Sequence, residues 1–123
     1  MNRGLRYHRS TLEGAAARGM PGWEGHGALG IAETYRMIGH APQALEFLDH
    51  ARNCYHKAND QKWGQIHTDI TEFLIRGDPA ALLCARAQAV ILGYRRDLRY
   101  IGTLLAGGSV EATAHQGHFL LFP

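Results

Sequence analysis

The chain has little of what usually declares a function outright. Its two cysteines, Cys54 and Cys84, form no CxxC pair and no disulfide framework, which argues against a disulfide-stapled secreted scaffold and against a paired-cysteine redox or zinc motif. Both fall within apolar helical patterns, where a free cysteine acts as a small buried hydrophobe, and a reducing, cytoplasmic setting is expected. No run approaches the roughly 18 apolar residues that a membrane span needs. The opening MNRGLRYHRS is basic, but no apolar core follows it, so no signal peptide is expected. A formal net charge of +2 is too small an excess to require nucleic acid. No GxxxxGK[ST] follows a strand, and GGS and the scattered glycines match no phosphate loop. No segment alternates apolar and polar residues as a half-buried strand does.

What is present is a chain of 123 residues, 46% hydrophobic and 20% charged, long enough for one folded domain and too short for two. Apolar residues recur at helical spacing throughout. A first helix is expected over residues 5–18, from Leu5, His8, Leu12, Ala15 and Ala16. RGMPG breaks it, and a second helix starts near Trp23 with Ala28, Ile31, Ala32 and Tyr35 on one face. Gly39 ends that helix as a left-handed cap, and Pro42 sits in the first turn of a third helix running to about Lys57. Asp60 can cap a fourth helix, which carries Ile66, Ile70, Phe73 and Leu74 and stops at Gly77. Asp78 and Pro79 restart the chain for a fifth, ending near Gly93, and a sixth spans about residues 94–106. The expected fold class is all-α, in a single domain over 1–123.

The helices alternate in a way that suggests internal repetition. GWEGHGALGIAETYRMIGHAPQALEFL aligns with KWGQIHTDITEFLIRGDPAALLCA, pairing Trp23 with Trp63, His26 with His67, Tyr35 with Phe73, Gly39 with Gly77 and Pro42 with Pro79. GYRRDLRYIGTLL is a third, partial start, with Tyr94 in the tryptophan's place. The aromatic starts are unevenly spaced, 40 and then 31 residues apart. This resembles the tetratricopeptide repeat, a helix–turn–helix unit of about 34 residues. The large, small, aromatic, glycine, alanine, large, alanine pattern of that family is carried by Ile31, Ala32, Tyr35, Gly39, Ala44, Leu48 and Ala51. The match is good over 23–58, fair over 62–92, where Asp69 stands in a usually apolar position, and partial over 94–106. Residues 5–18 then form a lone helix and 107–123 a tail. Tryptophan-opened pairs and GDPAAL turns look similar to the repeat arrays of bacterial, actinobacterial-type regulators. The resemblance implies antiparallel helix pairs stacked as a short right-handed α-solenoid that binds a protein or peptide in its concave groove.

In that family the first helix of each pair lines the groove. The stripe beside the packing face holds His26, Leu29, Glu33 and Arg36 in the first pair, His67, Thr71 and Leu74 in the second, and Arg96, Arg99 and Thr103 in the third. Such a surface suits an acidic segment or a terminal carboxylate, bound more tightly near pH 6 as His26 and His67 gain charge. Other clusters read more simply. His115 and His118 lack a third zinc ligand, and no metal or cofactor is expected. Cys54 near His50 and His56 could form a nucleophile–base pair, but helical spacing puts it in the packed arc. Trp23 and Trp63 read as inter-repeat packing. Arg95, Arg96 and Arg99 among Tyr94 and Tyr100 could touch nucleic acid, yet the small net charge favours a solvated face or a carboxylate site. The apolar HFLLFP, 118–123, is expected to pack Phe119, Leu120, Leu121 and Phe122 into an open end groove of its own chain or of a second copy, with a homodimer, swapped or not, the leading version. The chain could also be a fragment of a longer array. The leading expectation is a scaffold or adaptor and not an enzyme. The alternatives are a sensory or oligomerisation tail of a transcription regulator, and a nucleic-acid-contacting helical module.

Overall fold

A computed structural model describes residues 2–59 and 62–107, and every regular element among them is a helix. In chain order these are α1 (Asn2–Ala17), α2 (Pro21–Met37), α3 (Ala41–Ala58), α4 (Lys62–Arg76), α5 (Pro79–Leu92) and α6 (Arg95–Leu105). The all-α expectation is met, with boundaries shifted by a few residues. Asp60 and the tail from Gly108 onward, including His115, His118 and Phe119 to Pro123, lie outside the described residues. The expected homodimer contact lies there too.

Local punctuation sets the helix ends. After α2 the chain needs a left-handed residue to turn back, and Gly39 supplies it at φ 81°. There the His40 N–H donates to the Tyr35 carbonyl at 2.8 Å and the Gly39 N–H to Arg36 at 3.0 Å, satisfying carbonyls left over by the last turn. Asn59, the one positive-φ residue among the described residues that is not glycine, does the same work after α3. Asp78 caps α5 by accepting from the Ala80 N–H at 3.0 Å, and Pro79 fills the first turn.

Consecutive helices pack side by side, and α2 also touches α4. The directions follow from which residues meet. His26, early in α2, reaches Tyr55, late in α3, so those helices run antiparallel. His26 meets Trp63 edge-on while Glu33 meets Thr71, so α2 and α4 run parallel, one residue stepping with the other. Ala44 and Ala51 are fully enclosed in the α2–α3 seam, as the small-residue pattern required. One core cluster joins Ala28, Leu29, Ala32, Leu48, Ala51 and Tyr55; a second joins Ile66, Ile70, Leu82, Ala85, Ala89, Ile101 and Leu104.

Glycines let the backbones approach where side chains could not. A Cβ on Gly27 would lie 2.7 Å from the Leu12 backbone nitrogen, so α1 rests directly on α2 there. Tyr55 of α3 is wedged between Gly25 of α2 and Gly64 of α4; a Cβ at Gly64 would strike its ring, and one at Gly25 would crowd it. One buried aromatic thus joins three helices. No helix among the described residues is long and apolar enough to cross a membrane.

Candidate functional site

The expected binding stripe divides into buried and exposed parts. Leu29, His67 and Thr71 are fully enclosed and Glu33 is nearly so. They are packing residues and present no surface, which corrects their expected place in an open groove. The physical reason is the number of neighbours: α2 meets α1, α3 and α4, leaving little of its circumference uncovered. His26, Arg36 and Leu74 are half-buried, whereas Arg96, Arg99 and Thr103 of α6 are exposed. Arg36 is ion-paired one turn back with Glu33, whose other oxygen receives the Thr71 hydroxyl at 3.5 Å.

From the exposed Trp23 inward, aromatic and imidazole rings of α2 and α4 form a row that reaches α6 at Asp97. Trp23 meets His26 edge-on, His26 meets Trp63, and Trp63 lies 4.4 Å from His67 between ring centroids. The His26 Nδ1 and the Tyr55 hydroxyl are hydrogen-bonded at 2.6 Å. Burial, reinforced by the nearby His67, lowers the His26 pKa below the ordinary histidine value. His26 therefore resists the protonation expected to strengthen acidic binding near pH 6, and His67 is out of reach of any partner. The row ends where His67 Nε2 donates to Asp97 Oδ1 at 3.0 Å, inside the protein. Trp63 is buried between His26 of α2 and His67 of its own helix. Trp23 meets His26 on one side, and more than half of it is exposed.

Asp97 decides the character of the α6 surface. In the sequence it looks like an acid diluting a basic cluster. In the structure it is buried against His67, so the exposed charged side chains of α6 are Arg95, Arg96 and Arg99, all cationic. The signal available beforehand was weak: Asp97 and Ile101, one turn apart, share the inward face with Leu104.

Comparison with known families and proteins adds no relative: no family model matches the chain, and no curated protein or solved structure is found to be similar to it.

Two further readings change. Cys84 is exposed, against the expectation that both cysteines are buried. Cys54 is buried, and its thiol is pushed up to about 11 by that burial and by a hydrogen bond to Glu24. A thiol held protonated against a carboxylate lacks the lowered pKa of an activated nucleophile. Asp69, anomalous in the repeat pattern, accepts from Arg52 of α3 at 2.7 Å, and Glu72 takes the same guanidinium at 2.8 Å. Burial raises the Asp69 pKa, and Arg52 opposes that rise. A polar tie between α3 and α4 stands where packing was expected.

Proposed function

We propose that this chain is a cytoplasmic protein-interaction module of tetratricopeptide-like helical hairpins that takes an acidic peptide segment on the exposed face of α6. The observation that carries this reading is the inward turn of Asp97, which leaves Arg95, Arg96 and Arg99 as the charged groups on that face, with Thr103 one turn beyond. Guanidinium groups bind carboxylates through paired hydrogen bonds, so closely spaced arginines suit a run of Asp or Glu or a chain-terminal carboxylate. The antiparallel α2–α3 pair and the parallel course of α2 and α4 support the hairpin architecture.

The test is fluorescence anisotropy with a labelled peptide containing a run of glutamates, against wild type and the Arg96→Ala, Arg99→Ala double variant. Binding should weaken by about tenfold or more in the variant, and a thermal melt of the same variant checks that the fold is retained. Between pH 8 and 6 the affinity should stay flat, since the buried histidines do not reach the peptide. Equal affinity for both proteins would overturn the reading. Tighter binding to random DNA, with a steep loss as salt rises, would move α6 to a nucleic-acid role.

A further inference from the structure

The first turn of α2 and the last turns of α3 bring together three side chains that no step so far uses. His50 and Cys54 lie one helical turn apart on α3, on the side facing α2. The antiparallel register places Glu24 of α2 opposite both. His50 Nε2 and a Glu24 carboxylate oxygen are 2.7 Å apart, and the donor atoms of Glu24, His50 and Cys54 all lie within 4.8 Å of one another. Cys54 closes the cluster from inside, while the His50 side chain is 43% exposed and leaves the outer side open to solvent.

We propose that Glu24, His50 and Cys54 form a binding site for one zinc-class divalent transition-metal ion, with a water in the fourth position. The donor set selects the metal. One thiolate, one imidazole and one carboxylate suit zinc or cobalt, whereas magnesium and calcium require oxygen donors almost throughout. The distances are compatible: tetrahedral zinc with bonds of about 2.0–2.3 Å holds its donors roughly 3.3–3.8 Å apart. Closing from the present spacing needs an adjustment of about 1 Å or less, which side-chain torsions of the partly exposed Glu24 and His50 can supply. The charge also closes, because a carboxylate, a thiolate and a neutral imidazole together balance a divalent cation.

Binding exchanges protons in a defined way. In the metal-free protein the thiol proton remains on sulfur, hydrogen-bonded to Glu24. The ion takes up the sulfur lone pair, and that proton leaves to solvent. His50 gives up its hydrogen bond to Glu24 and binds through Nε2; its ring stays neutral overall because the proton on Nε2 is exchanged for one on Nδ1, so the thiol supplies the single proton released per ion. The consequence is a staple joining the start of α2 to the end of α3, with one open coordination position at the surface.

The experiment uses the full chain, chelator-treated and kept reduced, and titrates it with cobalt(II) alone. A 1:1 endpoint is expected, with the visible bands of tetrahedral cobalt and a thiolate-to-cobalt charge-transfer band, both abolished by zinc. Cys54→Ala should abolish the charge-transfer band. Exposed His50→Gln, which leaves the core intact, should weaken binding by more than about tenfold, since even outer partners of a metal site contribute 10–100-fold. His115→Gln with His118→Gln should bind as wild type does. Absence of a 1:1 tetrahedral signal, its survival in Cys54→Ala, or its loss in the tail variant would each overturn the proposal.

Discussion

Two glycines in otherwise similar helices have opposite prospects on substitution. Gly14 of α1 has open space where a Cβ would go, so Gly14→Ala should raise stability by about 0.5–1 kcal/mol through helix propensity alone. Gly64 of α4 faces the Tyr55 ring, which is itself held from the other side by Gly25. The same propensity gain at Gly64→Ala is outweighed by overpacking of about 1–3 kcal/mol, because the ring has nowhere to move. Urea melts of the two variants should shift in opposite directions; a shift of the same sign would remove the wedge as an explanation. Tyr55→Phe separates the ring's volume from its hydroxyl. It keeps the packing and loses the hydrogen bond to His26, costing about 1 kcal/mol.

At the scale of elements, the seams divide into apolar and polar ones. The α2–α3 seam depends on small residues, so Ala44→Leu or Ala51→Leu should each lower stability by about 1–3 kcal/mol, read as a lower thermal midpoint. Thermal midpoints equal to wild type in both variants would refute the close packing. Between α6 and α4 the buried His67–Asp97 hydrogen bond adds a polar tie beside the apolar cluster that joins Ile66 and Ile70 to Ile101 and Leu104. Asp97→Ala leaves a buried ring nitrogen short of its acceptor and should lower stability by about 1–3 kcal/mol. Hydrogen exchange should speed up first in α6, and unchanged protection there would exclude that role. Much of this was legible beforehand. Gly39, Asp78 with Pro79, and Gly93 act within a few residues of themselves, and alanines at seam spacing show where helices meet. The groove stripe was not legible, because a period gives the angle of Leu29 or Thr71 on its helix and not how many helices surround it. Nor was the three-donor cluster. The one-turn spacing of His50 and Cys54 is visible in the sequence, while Glu24 arrives only through the antiparallel register of a helix read separately.

For the molecule as a whole, the partly buried histidines make stability depend on pH. Burial lowers the pKa of both His8 and His26, and His26 faces His67, Tyr55, Trp23 and Trp63. The unfolded chain takes up protons near the ordinary histidine value of 6.5, where the folded chain still resists them. Stability is therefore highest above that value and falls as pH drops through it toward the lowered folded pKa values. Urea midpoints should decline from pH 7.5 to 5.5, and His26→Gln should reduce the slope. A midpoint that rises on acidification would contradict the burial of these rings.

The unequal burial of the two tryptophans gives the protein two distinguishable optical reporters. Trp23 is 56% exposed and Trp63 only 6% exposed. A dissolved quencher such as iodide should reach the first and spare the second, so Trp23→Phe leaves a single shielded emitter. That emitter sits between His26 of α2 and His67 of α4, and its colour should redden when those two helices part, even if every helix remains formed.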